Sequence, residues 1–169
     1  ERGIERQIRA FVRCARLARA AGYDGVEVMG SEGYFINQFL VTHTNHRQDR
    51  WGDEYANRMR LAVEIVHRVR EAVGADFVLI YRISLIDLLP DGSSWAEVIE
   101  LAKAVTAAGA TILNSGIGWH EARVPTIATS GWLITGVETM PPSLPRLVTV
   151  SVEPESSSRV ALPVRALAA

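Results

Sequence analysis

A phenol, a guanidinium and an imidazole each stand just beyond a short apolar run. Tyr34 follows Gly25-Val26-Glu27-Val28-Met29, Arg82 follows Phe77-Val78-Leu79-Ile80-Tyr81, and His120 follows Thr111-Ile112-Leu113-Asn114. Phenols ionise at about pH 10, so a tyrosine is a protonated acid at neutral pH, and a nearby imidazole can support transfer of its proton. An arginine is permanently cationic and stabilises a neighbouring anion. Each residue also has a plain structural reading: Tyr34 as a core or rim side chain, His120 as a capped loop residue, Arg82 as the partner of a buried carboxylate such as Glu27. His43, His46 and His67 lack the spacing of a metal site, and the single cysteine, Cys14, can form neither an internal disulfide nor a metal cluster. No metal is expected.

The three runs are strands in a repeating arrangement. Over residues 4–21 the apolar positions Ile4, Ile8, Phe11, Val12, Ala15 and Ala18 fall at three- and four-residue steps, which predicts an amphipathic helix ending at Gly22. A second helix is predicted over 55–73, ending at Gly74, and a third over 95–108, ending at Gly109; each gives way to an apolar run. Near-continuous apolar strands joined through single helices cannot be hairpins, so the sheet should be parallel and covered by helices. The fold class is α/β. In such sheets function collects beyond the carboxyl ends of the strands, which is where Ser31-Glu32-Gly33-Tyr34, Arg82-Ile83-Ser84 and Gly116-Ile117-Gly118-Trp119-His120-Glu121 fall. No strand is followed by a Gly-x-Gly-x-x-Gly or Walker-type loop, which weakens a Rossmann or P-loop reading and favours units of a (β/α)₈ barrel.

Composition excludes several classes. With 169 residues the chain is one ordinary domain or a piece of a larger one, and 48% hydrophobic with 22% charged residues is the balance of a folded globular protein. A formal charge of −1 offers no field to draw in nucleic acid or an anionic membrane, and no stretch approaches the length of a membrane span. Neither partner is expected, and the cytoplasm is the default location. The chain opens on Glu1 already in a helical pattern, so it is expected to be a fragment.

Ala21-Gly22-Tyr23-Asp24-Gly25-Val26-Glu27-Val28, Gly33-Tyr34-Phe35-Ile36-Asn37-Gln38-Phe39-Leu40, Thr44-Asn45 with Arg47 and Asp49, Trp51-Gly52, Asn57-Arg58-Met59-Arg60, Arg82-Ile83-Ser84 and Gly116-Ile117-Gly118-Trp119-His120-Glu121-Ala122-Arg123 together carry a resemblance. Over about residues 4–129 the chain resembles the old yellow enzyme family of NADH:flavin oxidoreductases. Within the family it is most similar to the bacterial 2,4-dienoyl-CoA reductases. Many members have His-Gly-Ala-His-Gly-Tyr where this chain has Met29-Gly30-Ser31-Glu32-Gly33-Tyr34; the dienoyl-CoA reductases share its Ser-Glu-Gly-Tyr and its Trp-His-Glu-Ala-Arg.

The resemblance implies a partial (β/α)₈ TIM barrel of about three helix-strand units. It also implies FMN, with hydride passing to a conjugated 2,4-dienoyl-CoA thioester of fatty acid β-oxidation and NADPH as the source of reducing equivalents. By motif matching Tyr34 is the proton donor, His120 its partner, and Arg82 lies against the flavin. His43, Thr44, Asn45, His46, Glu121, Arg123 and Thr126 correspond to stretches lining the acyl-CoA channel. FAD and a 4Fe-4S cluster are implied in other regions of such an enzyme.

Two domains are expected: 1–129 as the FMN- and substrate-binding barrel part, and 130–169 as an irregular, disordered or non-homologous tail. Five of the seven prolines lie from Pro141 onward, with Ser156-Ser157-Ser158 and an Ala-rich end. A lone barrel segment lacks the closure and later loops of a family enzyme, so the isolated chain is expected to be inactive and to associate through its open sheet edges. An enone reductase of the same family and a non-catalytic α/β interaction module remain as alternatives.

Overall fold

The computed structural model describes residues 1–122 and, as backbone, the strand Leu147–Val150. Helix α1 (Arg2–Ala20) buries the stripe Ile4, Ile8, Phe11, Ala15 and Ala18, as its periodicity dictates. It stops where Gly22 turns left-handed at φ 84. There the Tyr23 N–H reaches back to the Ala18 carbonyl at 3.1 Å, capping the helix end and aiming the chain into β1 (Gly25–Gly30).

After β1 come α2 (Phe35–Leu40), α3 (Tyr55–Arg58) and α4 (Arg60–Val73). The single helix expected over 55–73 is thus two segments, parted only at Met59, which keeps right-handed backbone angles. Then follow β2 (Val78–Ile86), α5 (Trp95–Ala107) and β3 (Ile112–Ile117). Helix α5 starts at a capping box in which Ser94 and Glu97 bond reciprocally, the arrangement that satisfies orphan N–H groups at a helix start. Glu97 also forms an ion pair with Arg58, whose Nε donates to the Leu40 carbonyl at 2.8 Å and whose second nitrogen donates to the Asp53 carbonyl at 2.9 Å. One buried guanidinium therefore ties the end of α2 to the start of α5.

The sheet order is β3-β2-β1-β4, with every pair parallel. Gly25 pairs with Val78 and Gly30 with Ile83, while Ile80 pairs with Ile112 and Ser84 with Gly116. Alternation along the strands sends Val26, Val28, Leu79, Tyr81 and Ile83 into the helix-covered core, where all five are at most 3% exposed. The opposite face carries Glu27, Met29, Arg82, Ser84, Asn114 and Gly116. A parallel sheet with helices on one face and polar groups on the other is the layout of consecutive barrel units. Among the described residues no helix is long and apolar enough to cross a membrane.

Two expectations need correction. Arg82, Ile83 and Ser84 lie within β2, and Ser115, Gly116 and Ile117 within β3, rather than beyond strand ends. Arg82 and Ser84 face the inner side of the sheet, whereas Ser115 sits opposite Ile83 on the other face, so in β2 what reads as an end of an apolar run is an alternation between two faces. The tail is not irregular throughout, because β4 (Leu147–Val150) pairs with β1 from Gly25 to Val28. Four residues are too few to show a periodicity, although Val148, Thr149 and Val150 are β-branched and favour a strand.

Burial of Tyr81 gives a test of the core. Its hydroxyl is buried without a hydrogen-bond partner among the described residues and packs on Gly30, where a Cβ would lie 2.2 Å from it. Desolvation raises the pKa of this phenol, so it stays neutral. Tyr81→Phe removes an unsatisfied buried group and keeps the ring. It should leave the protein as stable or more stable by about 1–2 kcal/mol, read as a rise in the chemical denaturation midpoint at constant slope.

Candidate active site

Tyr34 and His120 are 86 residues apart in sequence, and their side chains meet: His120 Nε2 lies 2.6 Å from the Tyr34 hydroxyl. The rings stand edge to face, with centroids 4.9 Å apart and planes at 72°. Tyr34 is half-buried and His120 exposed, so the pair looks out from the carboxyl end of the sheet.

The approach is built from both sides. After β1, Glu32 and Gly33 take consecutive left-handed conformations at φ 64 and φ 81, which turn the chain and leave Tyr34 as the residue capping α2. Glycine takes this conformation without strain, whereas Glu32 holds it at a cost. The Gly33 peptide is gripped by the helix it precedes: its N–H donates to Asn37 Oδ1 at 2.9 Å, and its carbonyl accepts from Gln38 Nε2 at 2.7 Å.

After β3, Gly118 turns left-handed at φ 80 and donates to the Ile86 carbonyl at 2.7 Å. Trp119 then packs directly on Gly33, where a Cβ would come within 2.7 Å of the indole ring. The indole N–H donates to Asp87 Oδ1 at 3.0 Å and the Trp119 backbone N–H to the Asp87 carbonyl, also at 3.0 Å. The residues following Gly33 and Trp119 are Tyr34 and His120, so the ring-on-glycine contact sets their separation.

Arg82 reaches the same edge and forms an ion pair with Glu32 at 2.6 Å. The alternative partner considered from sequence, Glu27, is instead taken by Asn114 Nδ2 at 2.7 Å. Register explains the difference: Arg82 sits opposite Met29, two residues beyond Glu27, and the left-handed turn after β1 folds Glu32 back over it. Among the described residues the Arg82 Nε and the Ser84 hydroxyl are buried without partners on this inner face.

The remaining sequence-predicted residues divide. His43 meets the Trp119 ring edge-on at 6.0 Å, at the border of the pair. Thr44 donates to the Gln38 carbonyl at 2.7 Å and, with Gln38, Phe39, Asn45 and Arg47, lines a cavity of about 140 Å³. Asn45 is buried with its amide spent on backbone: it donates to the Phe39 and Trp51 carbonyls at 2.7 and 2.8 Å and accepts from the Arg47 N–H at 3.2 Å. Its role is to shape the loop. In that loop the hydrogen bond from Arg47 holds the Asp49 carboxyl down to a pKa of about 2. His46 and Glu121 are exposed. Arg123 and Thr126 lie outside the described residues.

Sequence reasoning missed Asp87. A lone acid between Ile86 and Leu88 was the available signal, but a strand thought to end at Tyr81 left it without a place. Among the described residues no group of three side chains could hold a metal ion.

Residues 1–135 match the NADH:flavin oxidoreductase / NADH oxidase family. The chain belongs to that family. It is 34% identical over 166 residues to the NADH oxidase of Thermoanaerobacter brockii, an alignment covering 93% of this chain and 25% of that protein. A solved complex of 2-naphthoyl-CoA reductase with 2-naphthoyl-CoA is 40% identical with a TM-score of 0.67, covering 70% of this chain and 18% of the other. The old yellow enzyme homologue from Zymomonas mobilis superposes with a TM-score of 0.63 at 27% identity, over 89% of this chain and 42% of the other. The chain thus spans about a quarter of the length of the NADH oxidase, and it is part of a TIM barrel. The likeness extends past residue 129, where the sequence reading had placed its end.

The donors at the carboxyl edge fit the flavin for which the family is named. A fixed cation stands there with one N–H that no described residue takes up, beside a hydroxyl that none takes up either. Gly116 lets the turn after β1 lie close against β3, since a Cβ there would come within 3.0 Å of Ser31 Oγ.

The contact between Trp119 and Gly33 makes a prediction. Gly33→Ala puts a methyl into the indole and strains a left-handed backbone, at a combined cost of about 2–4 kcal/mol. Its expected signature is a shifted Trp fluorescence maximum together with a lowered denaturation midpoint; wild-type fluorescence in the variant would show that the ring does not rest there.

Proposed function

We propose that this chain is the proton-delivering section of an FMN-dependent reductase that reduces a conjugated 2,4-dienoyl-CoA thioester. The observation that carries the reading is the 2.6 Å contact between Tyr34 and His120. A phenol is a proton donor at neutral pH, and an imidazole within hydrogen-bond reach can return a proton to it after each turnover. Tyr34 therefore delivers its hydroxyl proton to the acyl chain, while His120 Nε2 orients that hydroxyl.

FMN, when bound, supplies the hydride. Arg82 would hold the flavin ring through its free Nε–H. Glu32 keeps the guanidinium in place from the other side. His43, Thr44, His46 and Glu121 would border the acyl-CoA channel with Arg123 and Thr126, and Asn45 would fix the loop that carries the first three. NADPH would be the reductant, and FAD and a 4Fe-4S cluster would belong to other parts of such a protein.

Two likenesses support the thioester. Ser31-Glu32-Gly33-Tyr34 and Trp119-His120-Glu121-Ala122-Arg123 match the dienoyl-CoA reductase pattern, and a structural relative at 40% identity was solved with a CoA thioester, 2-naphthoyl-CoA. A conjugated acyl thioester also suits the acid: protonation is needed at carbon, away from the carbonyl, so a neutral donor above the chain serves better than cations gripping a carbonyl oxygen.

The test separates the two half-reactions in FMN-loaded enzyme. Tyr34→Phe is expected to slow reduction of a 2,4-dienoyl-CoA by about 10²- to 10⁴-fold, while flavin reduction by NADPH, followed as bleaching of the yellow absorbance, stays near the wild-type rate. Equal loss in both halves would remove the donor role from Tyr34.

A further inference from the structure

Between the two loops that carry Tyr34 and His120 lies a buried carboxylate that touches neither residue. Asp87 is 3% exposed. Its Oδ1 accepts from the Trp119 indole N–H at 3.0 Å and from Asn37 Nδ2 at 3.4 Å, and its Oδ2 accepts from the Ser93 N–H at 2.7 Å. Its backbone carbonyl accepts from the Trp119 N–H at 3.0 Å.

Three of these four bonds lead to the pair, and the one from Ser93 holds the second oxygen in place. Asn37 holds the Gly33 N–H through its own Oδ1, and Tyr34 is the next residue. Trp119 is held twice, by ring and by backbone, and His120 is the next residue. We infer that Asp87 is the positioning residue of the site, a carboxylate that fixes the Tyr34–His120 contact by anchoring the tryptophan from one loop and the asparagine from the other. This rests on the reading of Tyr34 and His120 as the proton-delivering pair.

The chemistry requires an acid at this position. A carboxylate has acceptor capacity on both oxygens and no donor, and here it faces three N–H groups from three segments. An amide of the same shape must turn its NH₂ toward one of them, so a donor would meet a donor. Either the indole or the Ser93 peptide is then left unsatisfied and moves away, because an unpaired buried donor is costly. There is little room to absorb that motion: a Cβ on Gly92 would lie 2.9 Å from the Asp87 Cβ. If the indole shifts, it loses its seat on Gly33, and both members of the pair lose their alignment.

The decisive measurement needs no turnover. In the full chain with ¹⁵N-labelled histidine, the His120 Nε2 resonance reports the hydrogen bond to Tyr34, so Tyr34→Phe should displace it. In an Asp87→Asn background this displacement should vanish while the far-ultraviolet dichroism is retained. Trp119→Phe removes the indole N–H together with part of the ring that rests on Gly33; it should abolish the displacement likewise, and a displacement of full size in it counts against the anchor even if Asp87→Asn does not fold. In FMN-loaded enzyme kcat should fall about 10²-fold in Asp87→Asn with KM for the acyl-CoA little changed, and Tyr34→Phe should add little further loss.

A displacement of full size in folded Asp87→Asn or in Trp119→Phe overturns the positioning role and leaves the proton-delivery reading standing. A His120 resonance indifferent to Tyr34 in the unsubstituted protein overturns both.

Discussion

Parallel pairing of β1 with β2 and of β2 with β3 is the constraint from which the site follows. Strands that run the same way finish at the same edge, so the segments after β1 and β3 must come together although 86 positions separate the residues that touch. Parallel neighbours also need crossovers, and the crossover helices bury one face of the sheet. Val26, Val28, Leu79, Tyr81 and Ile83 fill that face, each contributing about 1.5–3 kcal/mol when fully buried. The free energy that holds the edge in place thus comes from a core on the side away from the chemistry. The inner face is left to Glu27, Arg82, Ser84 and Asn114, groups that would weaken a core.

Register alone brings two loops near each other; hydrogen-bond distance needs finer control. The turn at Glu32 and Gly33 supplies part of it, since two consecutive left-handed residues aim Tyr34 across the sheet edge. Trp119 supplies the rest by lying where any side chain at position 33 would stand. Its ring is rigid and nearly fully buried, at 4% exposure, so the distance it sets is not easily compressed. Tyr34 and His120 themselves are left half-buried and exposed. The supporting groups are packed while Tyr34 and His120 remain accessible.

Much of this was legible before any coordinates. Helix, glycine and apolar run recur three times, and each glycine at a helix end has the positive φ that its position implied. The convergence of Tyr34 and His120 followed from the motifs at two strand ends. Other features were not legible for definite reasons. β2 runs on to Ile86 because its polar residues face inward, and a scale that equates polarity with a loop ends it early. β4 was hard to see because it is only four residues long and set among prolines and serines, although three of the four are β-branched. The partner of Arg82 depended on a reversal of the chain at Glu32, a residue whose type does not announce a left-handed backbone. Asp87 was overlooked for a related reason: its significance lies in three donors from three segments, and no local pattern records that.

The ion pair between Arg82 and Glu32 alters how the site's electrostatics should be read. Taken alone, Arg82 is a bare cation that would favour a reduced, anionic ring beside it. In the fold a carboxylate lies 2.6 Å from the same guanidinium, with the two side chains 32% and 20% exposed. At such partial burial much of the field of one charge is cancelled by the other before it reaches a third group several ångströms away. What Arg82 then offers is a directed N–H, held in a fixed plane, more than net positive charge. An arginine serves that purpose better than a lysine, because the planar fork can bond Glu32 through a terminal nitrogen and keep Nε in reserve. The pairing also explains why Glu32 tolerates its left-handed backbone: the ion pair helps offset the strain, and the turn so stabilised is the one that presents Tyr34.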